Sequence, residues 1–298
     1  MVTLRALLTF CILAISLRGA DAKGGKKPAA KKPAAAKPAA APATAKSPSS
    51  KGWPTPAAGE SASGDIELLF TFDDGPHPTL TPQVLDILRD HHIHAVFFLV
   101  GEMAGNENKK VPKIIQRMLD EGHVIATHTM KHRNLCKIPE PDAIKDLDQG
   151  KATIERVAKI ETLWFRTPGG VRCERLDNML AERKLHHFHW DLDPQEWKKG
   201  TPPEKVIKYV TGELSHAGGR DVLLMHDIHE VTIKALPEIL KWIDEENARR
   251  EKSRKHKIRI LQAPALAAEQ LPKGFAAWVT DATAGARALP KTIASVLP

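Results

Sequence analysis

With 298 residues the chain has room for one large domain or two small ones. Its formal charge of +8 is local: Lys23, Lys26, Lys27, Lys31, Lys32, Lys37, Lys46 and Lys51 stand without an acid among them, while residues 60–298 carry 34 basic against 35 acidic side chains. A near-neutral folded part without a DNA-reading motif excludes a nucleic-acid partner, although the lysine stretch alone has the charge for phosphate contacts.

Residues 1–22 read as a signal peptide. Arg5 supplies a basic start, 6–16 are apolar but too few to span a bilayer, and Ala20-Asp21-Ala22 fits a small-residue cleavage site. Phe10 stands before Cys11, where lipidation needs a small residue. The expectation is export to the periplasm or cell envelope, or secretion, with no transmembrane segment once the signal is cleaved. Residues 23–59 are almost wholly Lys, Pro, Ala, Gly, Ser and Thr, which bury no core, so a disordered cationic linker is expected over 23–64. It would be a plain spacer or a tether lying on an anionic envelope surface.

From residue 65 the pattern alternates. Apolar runs at 66–72, 95–100, 123–127, 163–166, 187–192, 222–226 and 258–261 are separated by amphipathic segments with helical spacing at 81–90, 111–121, 142–159, 175–184, 203–214 and 233–246. Seven strands alternating with helices predict an α/β fold of parallel strands with right-handed crossovers. A (β/α)7 barrel is the economical arrangement over 65–262, with a doubly wound open sheet as the alternative that periodicity does not separate. Residues 263–298 show no lasting period and either pack on the domain or trail from it. Cys136 and Cys173 fall in loops, where an oxidising compartment permits a disulfide; two free thiols are the other reading.

In a parallel α/β barrel the reactive side chains gather where strands end. Asp73 and Asp74 follow the first predicted strand, His128 and His132 the third, Arg166 the fourth, Asp191 and Asp193 the fifth, His226 and Asp227 the sixth. The spacing of His128 and His132 lets both imidazoles reach one metal ion, and two histidines with one carboxylate leave positions open for water and substrate. Adjacent aspartates point different ways. One can face the metal while the other accepts a proton from the attacking water. The remaining histidine clusters, with His77 and His229, are read as surface, core or hydrogen-bonding neighbours.

TFDDGP (71–76), HTMKH (128–132), RTPGG (166–170), DPQEW (193–197) and LLMHD (223–227) together resemble the five ordered motifs of the polysaccharide deacetylase family, carbohydrate esterase family four with its nodulation-factor deacetylase homology domain. The resemblance covers 65–262 and implies a distorted (β/α)7 barrel that removes acetyl groups from sugars with one divalent metal ion, zinc in most members. It implies Asp74, His128 and His132 as metal ligands, Asp73 as general base, Arg166 as its partner and His226 as general acid. Gly169 would offer an N–H to the oxyanion, Leu224 would line the acetyl pocket and Trp197 would form a groove wall. The fourth motif usually ends Asp-Trp; here Glu196 stands before Trp197, so either Asp193 or Glu196 is expected to tune His226. An aromatic often stands where Gly169 does. The implied substrate is N-acetylglucosamine in an envelope polysaccharide, peptidoglycan first, with chitin oligomers, exopolysaccharide and acetylxylan as alternatives. A non-catalytic carbohydrate-binding protein on the same fold is the reading of a different class.

Overall fold

The computed structural model describes residues 64–216 and 218–269, all within the compact unit Ala45–Pro298. The signal peptide expected at 1–22, the linker at 23–64 apart from its last residue, and residues 270–298 lie outside the described residues. Among the described residues no helix is long and apolar enough to cross a membrane.

The strands are β1 (Ile66–Asp73), β2 (Val96–Leu99), β3 (Val124–Thr127), β4 (Trp164–Phe165), β5 (His186–His187), β6 (Arg220–His226) and β7 (Ile258–Ile260). All ladders are parallel, in the order β5-β4-β3-β2-β1-β6, with β7 beside β1. β1 is the hub. Glu67–Asp73 pair with β6 on one edge, while the other edge takes β7 at Ile66–Leu68 and β2 at Thr71–Asp73. The sheet curls, and an isolated parallel bridge between Leu192 and Leu223 joins the chain after β5 to β6. The result is the distorted barrel, and the open-sheet alternative is set aside.

The helices are α1 (Thr81–Asp90), α2 (Gly101–Ala104), α3 (Val111–Asp120), α4 (Glu140–Ala158), α5 (Glu174–Glu182), α6 (Pro203–His216), α7 (Glu230–Lys252) and α8 (Ala263–Glu269). Alternation along β1 sorts the core into layers. Leu68, Phe70 and Phe72 pack outward with Val84, Leu85, Ile115, Leu236 and Ile239 of the helices. Leu69 points inward with Val96, Phe98, Val124, Ala126, Trp164, Phe188, Val222 and Leu224. A third cluster, with Leu147, Phe165, Leu176 and Leu180, seats α4 and α5.

One feature departs from the sequence reading, and for residues 263–269 one of its two alternatives holds. The fifth strand, expected over 187–192, is a strand only at His186–His187, because the chain then leaves β4 to reach β6. Residues 263–269 form α8, whose Ala263 and Leu266 join the barrel's interior cluster. The Ala263 N–H donates to the His94 carbonyl at 2.9 Å and Gln262 accepts from the His94 N–H at 2.7 Å, so α8 closes the end of the barrel opposite the carboxyl ends of the strands. Cys136 and Cys173 form a disulfide with Cα atoms 6.0 Å apart, which resolves the two thiol readings and ties the loop after β3 to the loop after β4.

Leu266 is fully buried. Leu266→Ala is expected to lower unfolding stability by about 2–5 kcal/mol through the cavity it leaves, read as a drop in the urea midpoint. An unchanged midpoint would mean that α8 does not seal the core.

Candidate active site

Arg166, directly after β4, sits fully buried inside the barrel. Its Nη1 donates to Asp73 Oδ1 at 2.7 Å and to Thr71 Oγ1 at 2.8 Å, its Nε to the Phe188 carbonyl at 3.1 Å and its Nη2 to the His189 carbonyl at 3.1 Å. The guanidinium lies 4.0 Å from the centre of the Phe98 ring, a cation–π contact in a dry setting. Burial pulls its pKa below the ordinary value, against the charge and hydrogen bond of Asp73. Asp73 is thereby fixed at the carboxyl end of β1 with one oxygen held by a charge-assisted bond.

Asp74 follows in a left-handed conformation, φ 75°, and both carboxylates approach one ring nitrogen, with Asp73 Oδ2 3.7 Å from His128 Nε2. Asp74 Oδ1 lies 3.4 Å from His128 Nε2 and 3.2 Å from His132 Nε2. His128 Nδ1 lies 2.7 Å from the Arg166 carbonyl. A carbonyl only accepts, so Nδ1 carries the proton and the Nε2 lone pair faces Asp74. Burial holds the His128 pKa below its usual value despite Asp73 and Asp74, which favours the neutral, ligating form. Burial pushes the Asp74 pKa up, but His128, His226, His132 and His229 together pull it below the ordinary range. Asp74 Oδ1 is buried without a hydrogen-bond partner, and one ligand atom from each of Asp74, His128 and His132 lies within 4.8 Å of the others. An orphaned carboxylate oxygen facing two imidazole nitrogens fits a divalent metal ion.

The register places His226 of β6 directly opposite Asp73 of β1. Glu196 Oε1 accepts both the His226 backbone N–H at 2.7 Å and Nδ1–H at 2.8 Å. Burial pulls the imidazole pKa down, but the hydrogen bond and charge of Glu196, with Asp74 and Asp73, outweigh it and raise the value to about 9. Among the described residues no hydrogen bond or ion pair joins Asp193 to this ring, although the His226 charge acts on Asp193. Asp193 Oδ1 accepts the Gln195 N–H at 2.9 Å within the turn, and burial raises its pKa. The extra methylene of Glu196 spans from that turn to β6.

Trp197 is 38% exposed and carries the Lys198 ammonium 5.3 Å from its ring centre. Gly169 is exposed at φ 66°, with no heavy atom within 4 Å of where a Cβ would stand, so this side of the mouth is open. Leu224 is buried in β6, and its N–H donates to the Leu192 carbonyl at 2.9 Å. His77 Nδ1 accepts the Leu80 N–H at 3.1 Å, a local turn contact. Asp227, whose pKa burial pushes up to about 7, accepts from the Thr81 hydroxyl and lies beneath Gly75, where a Cβ would meet its carboxylate at 2.4 Å. His229 stacks edge-on 5.8 Å from His226. Thr71, which opens the TFDDGP motif, braces Arg166, while Thr81 and Asp146 brace the first and second motifs from predicted helices in which neither carries a local signature.

A family model described as polysaccharide deacetylase matches residues 61–187. The chitooligosaccharide deacetylase of Rhizobium leguminosarum bv. phaseoli is 34% identical over 171 residues, 56% of this chain and 71% of that protein. The chain belongs to the polysaccharide deacetylase family. The peptidoglycan-N-acetylmuramic acid deacetylase PdaC of Bacillus subtilis (strain 168) is 31% identical over 180 residues, 60% of this chain but 36% of that protein's length. Among solved structures, the Bc1960 peptidoglycan N-acetylglucosamine deacetylase superposes with a TM-score of 0.57 at 28% identity, covering 67% of this chain and 87% of that one. In this deacetylase fold the five motifs converge at the carboxyl ends of β1, β3, β4 and β6 and in the turn ahead of α6.

The Glu196–His226 pair makes a signed prediction for the metal-free protein. A pKa raised from 6.5 to about 9 adds stability that is complete below about 6.5 and lost as pH rises through about 9. Glu196→Gln removes the charge, so the His226 resonance should titrate well below 9 by NMR, and the fall in urea midpoint across this window should shrink. An unchanged His226 titration would exclude Glu196 as its tuning partner.

Proposed function

We propose that the protein is an exported, metal-dependent deacetylase that hydrolyses N-acetyl groups of glucosamine residues in a cell-envelope polysaccharide, with peptidoglycan as the substrate. The observation that carries this reading is the pairing of Asp73 and His226 on neighbouring strands beside the Asp74–His128–His132 set, with Arg166 behind one and Glu196 behind the other. A carboxylate aimed by a buried guanidinium and an imidazole held protonated are what a hydrolysis needs on its two sides. A binding module on the same fold would use neither.

Asp74, His128 and His132 would hold the ion, for which their N, N, O donor set favours zinc, and which supplies Lewis-acid polarisation and a more acidic water. Asp73 accepts the proton of the attacking water as its oxygen bonds to the acetyl carbon. Arg166 keeps Asp73 aimed through its Nη1–H. The backbone N–H of Gly169 donates to the developing oxyanion, and Leu224 borders the acetyl methyl. His226 gives its proton to the nitrogen as the C–N bond breaks, leaving acetate and a free amine. Trp197, 38% exposed, offers a sugar ring a face to lie against.

Peptidoglycan is favoured by two relatives whose names carry it. Chitin oligomers are the second reading, favoured by the Rhizobium leguminosarum chitooligosaccharide deacetylase. Export to the periplasm or envelope is supported by the residues 1–22 pattern and by the Cys136–Cys173 disulfide. The lysines of 23–64 would tether the domain to an anionic surface, so removing them should leave turnover of soluble oligomers unchanged.

The purified protein should release acetate from N-acetylglucosamine oligomers or from isolated peptidoglycan, stop with chelator and recover with zinc. No release from either, with zinc bound, would overturn the proposal. Asp73→Asn should cut turnover by about 10²-fold or more while keeping its zinc. His132→Ala should lose both, and full activity of that variant without metal would sink the mechanism.

A further inference from the structure

The two histidines of HTMKH are held very differently. The His128 ring is buried and clamped through Nδ1 to the Arg166 carbonyl. The His132 side chain is 48% exposed, and among the described residues no group hydrogen-bonds to its ring. Its aim at Asp74 therefore depends on the backbone of its turn. That turn is an unfavourable one, with Thr129 at φ 68° and His132 at φ 52°, both in the left-handed region that L-residues avoid.

One side chain holds it. Asp146, on the second turn of α4 and with its side chain fully buried, accepts the Met130 N–H at 2.7 Å and the Lys131 N–H at 3.2 Å on Oδ1, and Arg133 Nε–H at 2.6 Å on Oδ2. These bonds bracket His132. The turn's own carbonyls are met from the other side: Gly101 N–H donates to Thr129 O and Glu102 N–H to Met130 O, both at 2.9 Å. One turn further along α4, Gly150 lets the helix approach the turn, because a Cβ there would stand 2.6 Å from the Thr129 carbonyl carbon. Asp146 is not one of the candidate ligands.

We infer that Asp146 is a positioning residue for the metal ligand His132, fixing the 129–133 turn so that its imidazole meets the ion preorganised. The inference rests on Asp74, His128 and His132 holding a metal. Ligands oriented in advance by buried partners bind the ion without ordering cost at the moment of capture, and losing such a partner typically weakens affinity 10- to 100-fold.

Asp146→Asn is the decisive variant. Asn keeps the size but has one acceptor and one donor end, so it cannot accept from all three N–H groups. Zinc affinity is read by competition with a chromophoric chelator, alongside far-UV circular dichroism of the metal-free protein. The expected result is affinity weakened about 10- to 100-fold, an unchanged spectrum, and turnover that climbs back towards wild type as zinc is raised. Asp148→Asn, exposed on the same helix and paired with Arg183, should bind zinc like wild type. Gly150→Ala should weaken zinc although alanine favours helix, because it pushes on the turn with Asp146 intact. Equal zinc affinity of Asp146→Asn and wild type would overturn the inference alone. Collapse of the metal-free fold in that variant would also overturn it, by assigning Asp146 to the fold. Wild-type protein that binds no zinc would instead overturn the metal reading beneath it.

Discussion

A single buried guanidinium organises this molecule. Arg166 reaches β1 through Asp73 and Thr71, and the chain after β5 through the carbonyls of Phe188 and His189, while its own carbonyl fixes His128 at the end of β3. A cation in a barrel lined by Phe98, Phe188 and Trp190 persists only when paired and hydrogen-bonded. Those requirements are met only with the strand registers as they stand. Replacing such an ion pair with apolar side chains is often neutral or stabilising, so its stability value does not explain its presence. What it does supply is an aimed carboxylate at the top of the barrel, above an otherwise apolar interior.

Opposite environments then separate two neighbouring groups. Asp73 and His226 face each other across one ladder, yet one has a cation behind it and the other an anion. Glu196 uses a single oxygen for both the backbone and the ring of His226, so the position of the strand end and the charge of the imidazole come from the same contact. Placing a cation behind one group and an anion behind the other lets one small site hold both a base and an acid.

Most of the fold was legible because period-2 and period-3.6 patterns answer to burial. Six of the seven apolar runs and the main helices appear where the sequence places them. The fifth strand fell short for a specific reason: the carbonyls of Phe188 and His189 turn to Arg166 while the chain crosses towards Leu223, and an apolar run says nothing of where its carbonyls point. α2 is four residues long, below any helical period. The site's five motifs were readable because they cluster at strand ends. The choice between Asp193 and Glu196 was not, since it depends on how far a side chain reaches from a turn. Asp146 looked like one more acid on a charged helix, and only the packing of Gly150 against Thr129 turns that face inward.

The Cys136–Cys173 crosslink closes a ring across a sequence separation of 37. Within the ring lie α4, with Asp146 and Gly150, and β4 with Arg166; His132 stands just outside its neck. By chain entropy alone such a closure disfavours the unfolded state by about 3–4 kcal/mol. Its second effect is local. It joins the loop that follows the 129–133 turn to the loop that follows Arg166 and Gly169, so the segments carrying His132 and the Gly169 N–H are covalently tied at a point a few residues beyond each.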